Sequence, residues 1–260
     1  MREIPREIGL LTNLVFQVID QNRLYGSIPS TIGNLTKLYD FLALWDNQLF
    51  GSIPPEMGNL ASLSTLSLQR NNLSGKISVS LGNLSDLTTL YIFKNQLSGS
   101  IPPEIGNLKS LDDLEIITNN LNGTIPASLG NLSDLTTLYH YKNQLSGSIP
   151  LEIGNLKSLV NFELAINILT SSIPASLGNL SKLTILILHE NHLSDSIPPH
   201  IGNLKSFKTL VLYTNTLTGS IPASLGNLTD LTTYTLWESS LWFHSSTYSK
   251  LDKFEKRTFV

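Results

Sequence analysis

Histidine and carboxylate side chains are the first candidates for chemistry in this sequence, because histidine serves both as a metal ligand and as an acid–base group near neutral pH. Of the five histidines, His140, His189 and His192 are the candidates. His140 takes an inward place that is otherwise leucine or isoleucine, with no carboxylate or thiol expected on its face. We therefore interpret it as a buried core residue whose unpaired nitrogens cost on the order of 1–3 kcal/mol. We expect no metal, no cofactor and no catalytic group here.

A second set of reactive side chains alternates with leucine in short segments that follow one another along the chain. Tyrosine, phenylalanine and lysine occupy one segment, aspartate and glutamate the next, then tyrosine and lysine, then glutamate. The alternation predicts that these side chains share the outward face of short strands. Outward aromatics favour protein recognition, and a solvated surface with lateral Lys–Glu pairs is the alternative. The predicted partner-binding residues are Tyr91, Phe93, Lys94, Asp113, Glu115, Tyr139, Tyr141, Lys142 and Glu163.

The glycines do not form a phosphate-binding loop. Ten of the 17 recur at one position of a repeat and seven at another, so each has a structural place, most simply a backbone turn that a side chain would hinder. The chain has no cysteine, which excludes Cys-ligated metal sites and disulfides. A net charge of -3 and a pI near 5.9 lack the basic surface of a nucleic-acid-binding protein. No catalytic set stands apart from the repeat, so we expect no enzyme.

One unit of 24 residues accounts for nearly the whole chain. With Ile as position 1 it reads I-P-x-x-(I/L)-G-N-L-x-x-L-x-x-L-x-L-x-x-N-x-L-x-G-x, with one residue inserted between Leu38 and Leu42. Such a period is typical of stacked coils that share one continuous core. The predicted solenoid occupies residues 1–238. Its ten repeats, numbered here as coils 1–10, begin at Ile4, Ile28, Ile53, Ile77, Ile101, Ile125, Ile149, Ile173, Ile197 and Ile221.

These coils must position the candidate residues. The leucines at positions 14 and 16 alternate with outward residues at positions 13, 15 and 17. Because each coil returns the chain to the same start, ten strands predict one parallel sheet roughly 43 Å across. The apolar residues at positions 1, 5, 8, 11 and 21 then fill the core behind it. Residues 239–260 depart from the repeat, and we expect a degenerate tail there, either poorly ordered or forming an irregular cap.

Position 19 is asparagine in nine of the ten coils. An amide both donates and accepts hydrogen bonds, so it satisfies backbone groups where each strand turns into the next segment. We therefore predict a structural ladder of stacked amides rather than a catalytic role. Its members are Asn22, Asn47, Asn71, Asn95, Asn119, Asn143, Asn167, Asn191 and Asn215.

Seven Asn-x-Ser/Thr sequons are candidate N-glycosylation sites and fit a secreted or cell-surface protein. Five of them lie in the Gly-Asn-Leu-Ser/Thr string of the repeat. The chain enters the repeat within three residues of Met1, so we expect no signal peptide, and no apolar run is long enough to cross a membrane. The sequons begin at Asn34, Asn72, Asn83, Asn122, Asn131, Asn179 and Asn227.

From Ile4 to about Leu236 the repeat resembles the plant-type leucine-rich repeat, L-x-x-L-x-x-L-x-L-x-x-N-x-L-x-G-x-I-P. The string GSIPPEIGNLKSL, Gly99 to Leu111, resembles the extracellular part of plant leucine-rich-repeat receptor-like kinases. The resemblance implies an α/β-type repeat solenoid, a curved right-handed superhelix with a parallel β-sheet on its concave face. It also implies a non-catalytic, ligand-sensing module that is extracellular or at the cell surface. The implied partners are a peptide or protein ligand and a co-receptor, and the family's paired capping cysteines are missing.

Two other functions stay open. The chain is also similar to free-standing secreted repeat proteins, namely polygalacturonase inhibitors and the ice-binding leucine-rich-repeat proteins of plants. Thr88-Thr89, Thr136-Thr137 and Thr232-Thr233 are the only hint of a lattice-like surface. The other alternative is a truncated copy with no independent role, because uncapped ends expose the core and a strand edge.

Overall fold

Ten short parallel strands build the concave face of the molecule, which confirms the predicted solenoid. The computed structural model describes residues 2–236, and the expected tail at residues 239–260 lies outside this range. Consecutive coils are neighbours throughout the sheet. Its strands are β2 (Gln17–Val18), β4 (Phe41–Ala43), β6 (Thr65–Ser67), β8 (Thr89–Tyr91), β10 (Asp113–Glu115), β12 (Thr137–Tyr139), β14 (Asn161–Glu163), β16 (Ile185–Ile187), β17 (Thr209–Val211) and β18 (Thr233–Thr235).

A second parallel sheet, of eight strands, follows the position-19 asparagines on an adjacent side of the coils. We did not predict it, because its Leu-x-Gly pattern is too short to be recognised as a strand. It also runs in coil order. Its strands are β1 (Arg2–Glu3), β3 (Leu24–Ser27), β5 (Gln48–Gly51), β7 (Asn72–Lys76), β9 (Gln96–Gly99), β11 (Asn120–Thr124), β13 (Gln144–Gly147) and β15 (Ile168–Leu169).

A single turn of 3₁₀ helix completes each coil. It begins after position 2, where proline in most coils fixes φ and supplies no N–H. In coil 4, Ser78 replaces proline and its hydroxyl accepts a hydrogen bond from the Ser80 N–H. None of the helices in residues 2–236 has the length and apolar character needed to span a bilayer. The helices are Arg6–Leu10, Ser30–Asn34, Pro55–Asn59, Val79–Asn83, Pro103–Asn107, Ala127–Asn131, Leu151–Asn155, Ala175–Asn179, Pro199–Asn203 and Ala223–Asn227.

The core runs continuously along the solenoid between these three surfaces. In coil 6, for example, Ile125, Leu129, Leu132, Leu135 and Leu138 at positions 1, 5, 8, 11 and 14 are at most 3% exposed. Coils 2–9 all bury these same positions, so the hydrophobic stabilisation is shared between adjacent coils. This stacking fixes which side chains are left on the concave face.

The two glycine positions have different physical causes, and the expected backbone turn is wrong for one of them. Glycines at position 23 have positive φ, such as 75° at Gly99, and Ser171 and Asp195 adopt 68° and 62° where they replace glycine. Position-6 glycines do not have positive φ. A Cβ on Gly106 would lie 2.3 Å from the carbonyl oxygen of Ser128 in the next coil. Position 6 is therefore glycine because neighbouring helices approach closely.

The asparagines from Asn47 to Asn215 each bond to their own coil and to the preceding one. The Asn119 Nδ2 donates to the carbonyl oxygens of Ile116 and Ile92, both at 3.1 Å, and its Oδ1 accepts from the Leu97 N–H at 3.0 Å. Asn22 differs from the prediction: it is exposed and donates only to the Asp20 carbonyl, at 2.7 Å. The reason is that the ladder bonds reach backward along the chain, and no coil precedes Asn22 in this sequence.

Candidate functional site

The most distinctive feature of the concave face is a row of alternating tyrosine and carboxylate side chains at position 15. The sheet register places Tyr91 beside Glu115, Glu115 beside Tyr139, and Tyr139 beside Glu163. Neighbouring strands lie about 4.8 Å apart, so the four side chains follow one another across the face. All four are half-buried. We call these four residues the position-15 row.

Asp113, at position 13 of coil 5, joins this row through one short hydrogen bond. The hydroxyl of Tyr91 donates to Asp113 Oδ2 at 2.6 Å. The other carboxylate oxygen, Oδ1, is shielded from solvent and has no hydrogen-bond partner among the described residues. A shielded acceptor without a donor is unfavourable, so this oxygen would gain from a donor brought by a ligand.

Partial burial on the concave face makes the ionised forms of its carboxylates unfavourable. Burial raises the pKa of Glu115 to about 7, and the negative charges of Asp113 and Glu163 add to the rise. Burial also raises the pKa of Glu163. The pKa of Asp113 is raised by burial and by the charge of Asp112, against the lowering effect of its bond from Tyr91. A cation brought close to these groups would favour their ionised forms.

The tyrosines beside the carboxylates stay neutral. Burial raises the pKa of Tyr139 to about 12, and the charges of Glu163 and Glu115 add to it. The pKa values of Tyr91 and Tyr141 are also raised, first by burial and then by neighbouring carboxylates. Their hydroxyls therefore remain donors and acceptors, and their ring faces can receive a cation.

No lysine or arginine within residues 2–236 forms an ion pair with Asp113, Glu115 or Glu163. Lys94 and Lys142, predicted on the same face, are exposed and follow the ends of β8 and β12. Both have positive φ, 52° and 56°. The lysines therefore lie at the margin of the face and do not neutralise the carboxylates, which argues against the lateral Lys–Glu pairing considered above.

Two further aromatic residues border the row at position 17. The rings of Phe93 and Tyr91 meet edge-on, with centroids 6.1 Å apart. Tyr141 occupies the same position in coil 6 and is half-buried. With Tyr91 and Tyr139, these side chains place aromatic rings on the same face as the carboxylates. Such rings suit the aromatic anchors of protein interfaces.

The concave face changes character in coils 8 and 9, where we predicted no site residue. Position 15 becomes Ile187 and Val211, which are adjacent in the sheet. At position 17, the rings of His189 and Tyr213 stack with centroids 4.3 Å apart, and His189 Nδ1 lies 3.3 Å from Glu190 Oε1. The repeat pattern could have indicated these residues, because they occupy positions 15 and 17, the same outward positions as the predicted site residues.

His140 lies in the core, as its position indicates. It is fully buried, and neither ring nitrogen has a hydrogen-bond partner among the described residues. Burial lowers its pKa to about 3, so it is neutral at physiological pH. Across residues 2–236, no three His, Asp or Glu side chains converge as a metal site would require.

Both sequence and structure comparisons return leucine-rich repeats. A family model described as a leucine-rich repeat region matches residues 40–147, and one described as a leucine-rich repeat matches residues 182–204. No protein of curated function matches the sequence.

Three solved structures show the range of similar proteins. The plant peptide hormone receptor RGFR1, in complex with RGF2, is 40% identical with a TM-score of 0.86, over 88% of this chain and 36% of that one. The ectodomain of the Arabidopsis receptor kinase HAESA, with an IDA peptide hormone, is 36% identical with a TM-score of 0.83, over 90% and 39%. A plant ice-binding protein is 26% identical with a TM-score of 0.73, over 94% and 80%.

A parallel-sheet solenoid with rows of outward side chains along its longer sheet defines a repeat protein. The chain is a leucine-rich-repeat protein with the ectodomain fold of plant receptor kinases. It spans well under half of the two receptor chains that it resembles.

Proposed function

We propose that the chain is a non-catalytic recognition module that binds a peptide or protein ligand across the concave face of coils 4–9, outside the cell. The position-15 row carries this proposal, because its carboxylates are half-buried and have no cationic partner in residues 2–236. Two similar structures were solved with peptide hormones bound. We include a co-receptor as a second partner, and only the family resemblance supports it.

The ligand that best fits this face has a cationic group. Glu115 and Glu163 lie on either side of Tyr139, so an arginine or lysine above that ring would meet two carboxylates and an aromatic face. Arginine suits such a place because its planar guanidinium both stacks and donates several hydrogen bonds. The unpaired Asp113 Oδ1 offers a further acceptor near Tyr91.

The same ligand would place an apolar residue over coils 8 and 9, where Ile187 and Val211 replace the charged row. From Tyr139 to these residues is two to three coils, or about 10–15 Å at the usual strand spacing. An extended peptide covers that distance in about three to five residues. The expected motif is therefore a basic residue followed or preceded at that spacing by an aliphatic or aromatic one.

A peptide array tests this proposal while the natural ligand is still unidentified. The labelled protein is applied to random 12-residue peptides, and selected peptides are measured in solution by calorimetry. We expect enrichment of Lys or Arg with an apolar residue three to five positions away. The Glu115→Gln/Glu163→Gln double variant should lose about tenfold or more in affinity, since buried charge pairs are worth several kcal/mol. Acidification below pH 7 should weaken binding too, because it neutralises Glu115.

The matched control removes two carboxylates from the flank instead. Asp86 and Asp134 occupy position 10 in coils 4 and 6 and are exposed, so the Asp86→Gln/Asp134→Gln variant changes net charge equally and creates no new Asn-x-Ser/Thr sequon. It should bind as the unmodified protein does. Equal loss in both double variants, or enrichment of acidic peptides, would contradict the proposal.

Ice binding is a second candidate, favoured by a different surface. In coils 4–7 the outward positions 20, 22 and 24 of the second sheet carry only uncharged side chains, such as Ser98, Thr124 and Ser146. Seven of the eight residues at positions 22 and 24 carry hydroxyl groups, whereas position 20 carries Gln96, Asn120, Gln144 and Ile168. Rows of hydroxyl groups suit a lattice, and the plant ice-binding protein is similar over 80% of its length. Inhibition of ice recrystallisation that a Ser98→Lys/Ser146→Lys variant abolishes, while Glu115→Gln/Glu163→Gln does not, would establish this function over peptide binding.

A further inference from the structure

A stretch of this chain's own sequence has the features expected of a ligand for the concave face. The sequence continues beyond Leu236 with residues 237–260, and residues 253–257 read Lys-Phe-Glu-Lys-Arg. Three cationic side chains and one acidic side chain give this stretch a net charge of +2. Phe254 precedes Arg257 by three positions, a spacing within the range expected for the apolar and the basic residue of a ligand. We call residues 253–257 the basic segment.

The acidic part of the concave face has no cation from the described residues. Glu115 and Glu163 are half-buried on either side of Tyr139, and neither forms an ion pair within residues 2–236. Carboxylates on the flank, such as Asp86 and Asp134, are exposed, and an ion pair there contributes little. The position-15 row is therefore the place where a cationic segment of the same chain gains most.

The basic segment is long enough in sequence to reach this row. Leu236, the last described residue, directly follows β18 at the coil-10 end of the concave sheet. Tyr139 in β12 lies four strands away in the sheet order, or about 19 Å at the usual strand spacing. The chain from residue 236 to residue 257 can span up to about 70 Å when extended. It can therefore turn back over the concave face and still reach coil 6.

The order of residues in the basic segment agrees with the direction of approach. A chain that crosses the face from coil 10 meets Val211 in coil 9 and Ile187 in coil 8 before Tyr139 in coil 6, so the apolar residue must come first. Ile187 and Tyr139 are two coils apart, or about 10 Å, and about three extended residues cover that distance. Phe254 and Arg257 have both this order and this spacing.

The outward positions 13 and 15 of coils 8–10 form an uncharged path for such a segment. The sheet register places these residues side by side across the three coils. The first carboxylate that the chain meets at these positions is Glu163 in coil 7, so no earlier carboxylate there competes for the cation. The residues of the path are Ile185, Ile187, Thr209, Val211, Thr233 and Thr235.

We propose that the basic segment binds the concave face of its own molecule and competes there with the external ligand. Phe254 packs on Ile187 and Val211. Arg257 lies above Tyr139, between the two glutamates of the position-15 row. This inference rests on the proposed function, because it assigns an intramolecular occupant to the same face. Segments tethered near their site reach effective concentrations in the millimolar range, so the external ligand binds more weakly while the segment is in place.

A fluorescently labelled synthetic peptide of residues 248–260 is the probe that tests this contact. Its affinity for the full chain is measured by fluorescence anisotropy. The Phe254→Ser/Arg257→Gln variant should bind the probe at least about tenfold more tightly than the unmodified protein does. The reason is that a competitor at about 1 mM weakens a probe with a Kd of about 0.1 mM by that factor. Adding Glu115→Gln/Glu163→Gln to the variant should remove the gain.

The matched control changes residues 237–260 outside the basic segment. Trp242→Ser/Lys250→Gln also removes one aromatic ring and one cation, and it should bind the probe as the unmodified protein does. Equal probe affinity in the unmodified protein and in Phe254→Ser/Arg257→Gln would overturn the proposal. An equal gain in the control variant would overturn it as well.

Peptides selected on the array separate this inference from the proposed function. If they bind through Glu115 and Glu163 with the same affinity in the unmodified protein and in Phe254→Ser/Arg257→Gln, the inference fails and the proposed function stands. If no array peptide binds either protein, both fail. Sedimentation velocity should show a monomer, whereas a dimer that Phe254→Ser/Arg257→Gln lacks would place the segment on a second copy and overturn the intramolecular contact.

Discussion

Residues at one repeat position behave differently in the interior coils and in the end coils. Asn119 makes the complete set of ladder bonds, whereas Asn22 in coil 1 is exposed with one local bond. Gly106 faces the Ser128 carbonyl so closely that a Cβ would lie 2.3 Å from it, whereas no described atom lies within 4 Å of the corresponding point at Gly226 in coil 10. The asparagine needs the preceding coil and the glycine needs the following one.

A residue of the repeat therefore stabilises the interface between two coils and not its own coil alone. Interior coils have a neighbour on each side, so the asparagine bonds and the close packing at the position-6 glycine both form there. Within residues 2–236, coil 1 lacks the asparagine bonds to a preceding coil, and coil 10 lacks the close packing of its position-6 glycine against a following coil. A solenoid of this kind is therefore stabilised mainly by nearest-neighbour contacts, and the same substitution should have unequal effects along the chain.

The largest expected difference is at the ladder. Asn119→Ala removes the partners of the Leu97 N–H and of two carbonyl groups, at about 1–3 kcal/mol for each buried group left unpaired. Asn22→Ala should change stability by no more than about 0.5 kcal/mol. Urea denaturation followed by circular dichroism measures both. Similar shifts of the two midpoints would show that the ladder bonds contribute little.

The next difference concerns close packing. Gly106→Ala forces its Cβ against backbone of coil 6, and overpacking of this kind costs about 1–3 kcal/mol. Gly226→Ala meets no described atom and should leave the melting temperature nearly unchanged. If thermal denaturation shows both variants destabilised alike, position 6 requires glycine for a reason within the coil.

Polar residues at inward positions give a third pair. His140→Leu should stabilise the protein by about 1–3 kcal/mol, because two buried nitrogens without partners are removed. Gln17→Leu in coil 1 should gain less, since Gln17 is 8% exposed and only its Oε1 is buried without a partner. Chemical denaturation of the two variants and of the unmodified protein measures both gains in stability. A larger gain at Gln17 would mean that His140 has partners we have not identified.

The smallest expected effect is the pH dependence of stability, which compares His140→Leu with the unmodified protein. The pKa of His140 falls to about 3 in the folded state, so below pH 6.5 the unfolded state binds a proton that the folded state does not. The free energy of unfolding of the unmodified protein should therefore decrease by up to about 1.4 kcal/mol for each pH unit of acidification below 6.5. The advantage of His140→Leu over the unmodified protein should therefore grow between pH 7 and pH 5.

Between pH 7 and pH 5, Glu115 changes the stability in the opposite direction from His140. Its raised pKa, about 7, means that the folded state binds the extra proton, so its contribution is present at low pH and lost as pH rises through 7. Both proteins contain Glu115, and its effect cancels in the difference between them. A difference independent of pH would show that His140 is protonated when folded.

The concave strands could be predicted because their alternation is repeated ten times, and the core positions followed from the same period. The second sheet could not, since Leu-x-Gly segments give too short a pattern. Neither could the positive φ at position 18, where Lys94, Thr118 and Ile166 share no property that favours it. For the candidate site, the sequence predicted that Tyr91, Glu115 and Glu163 face outward. It did not predict their half-burial or their lack of a cation.

By itself, the sequence determined the repeat, the direction in which each side chain points and the absence of cysteine. Those properties depend on local alternation and on composition. Tertiary structure decided which residues meet across coils: that Tyr91 bonds to Asp113, that Lys109 reaches Asn131, and that Asn22 is left out of the ladder. The physical reason is that hydrogen bonds and van der Waals contacts act over a few ångströms, and only the stacking of coils brings residues 22 to 27 positions apart within that distance.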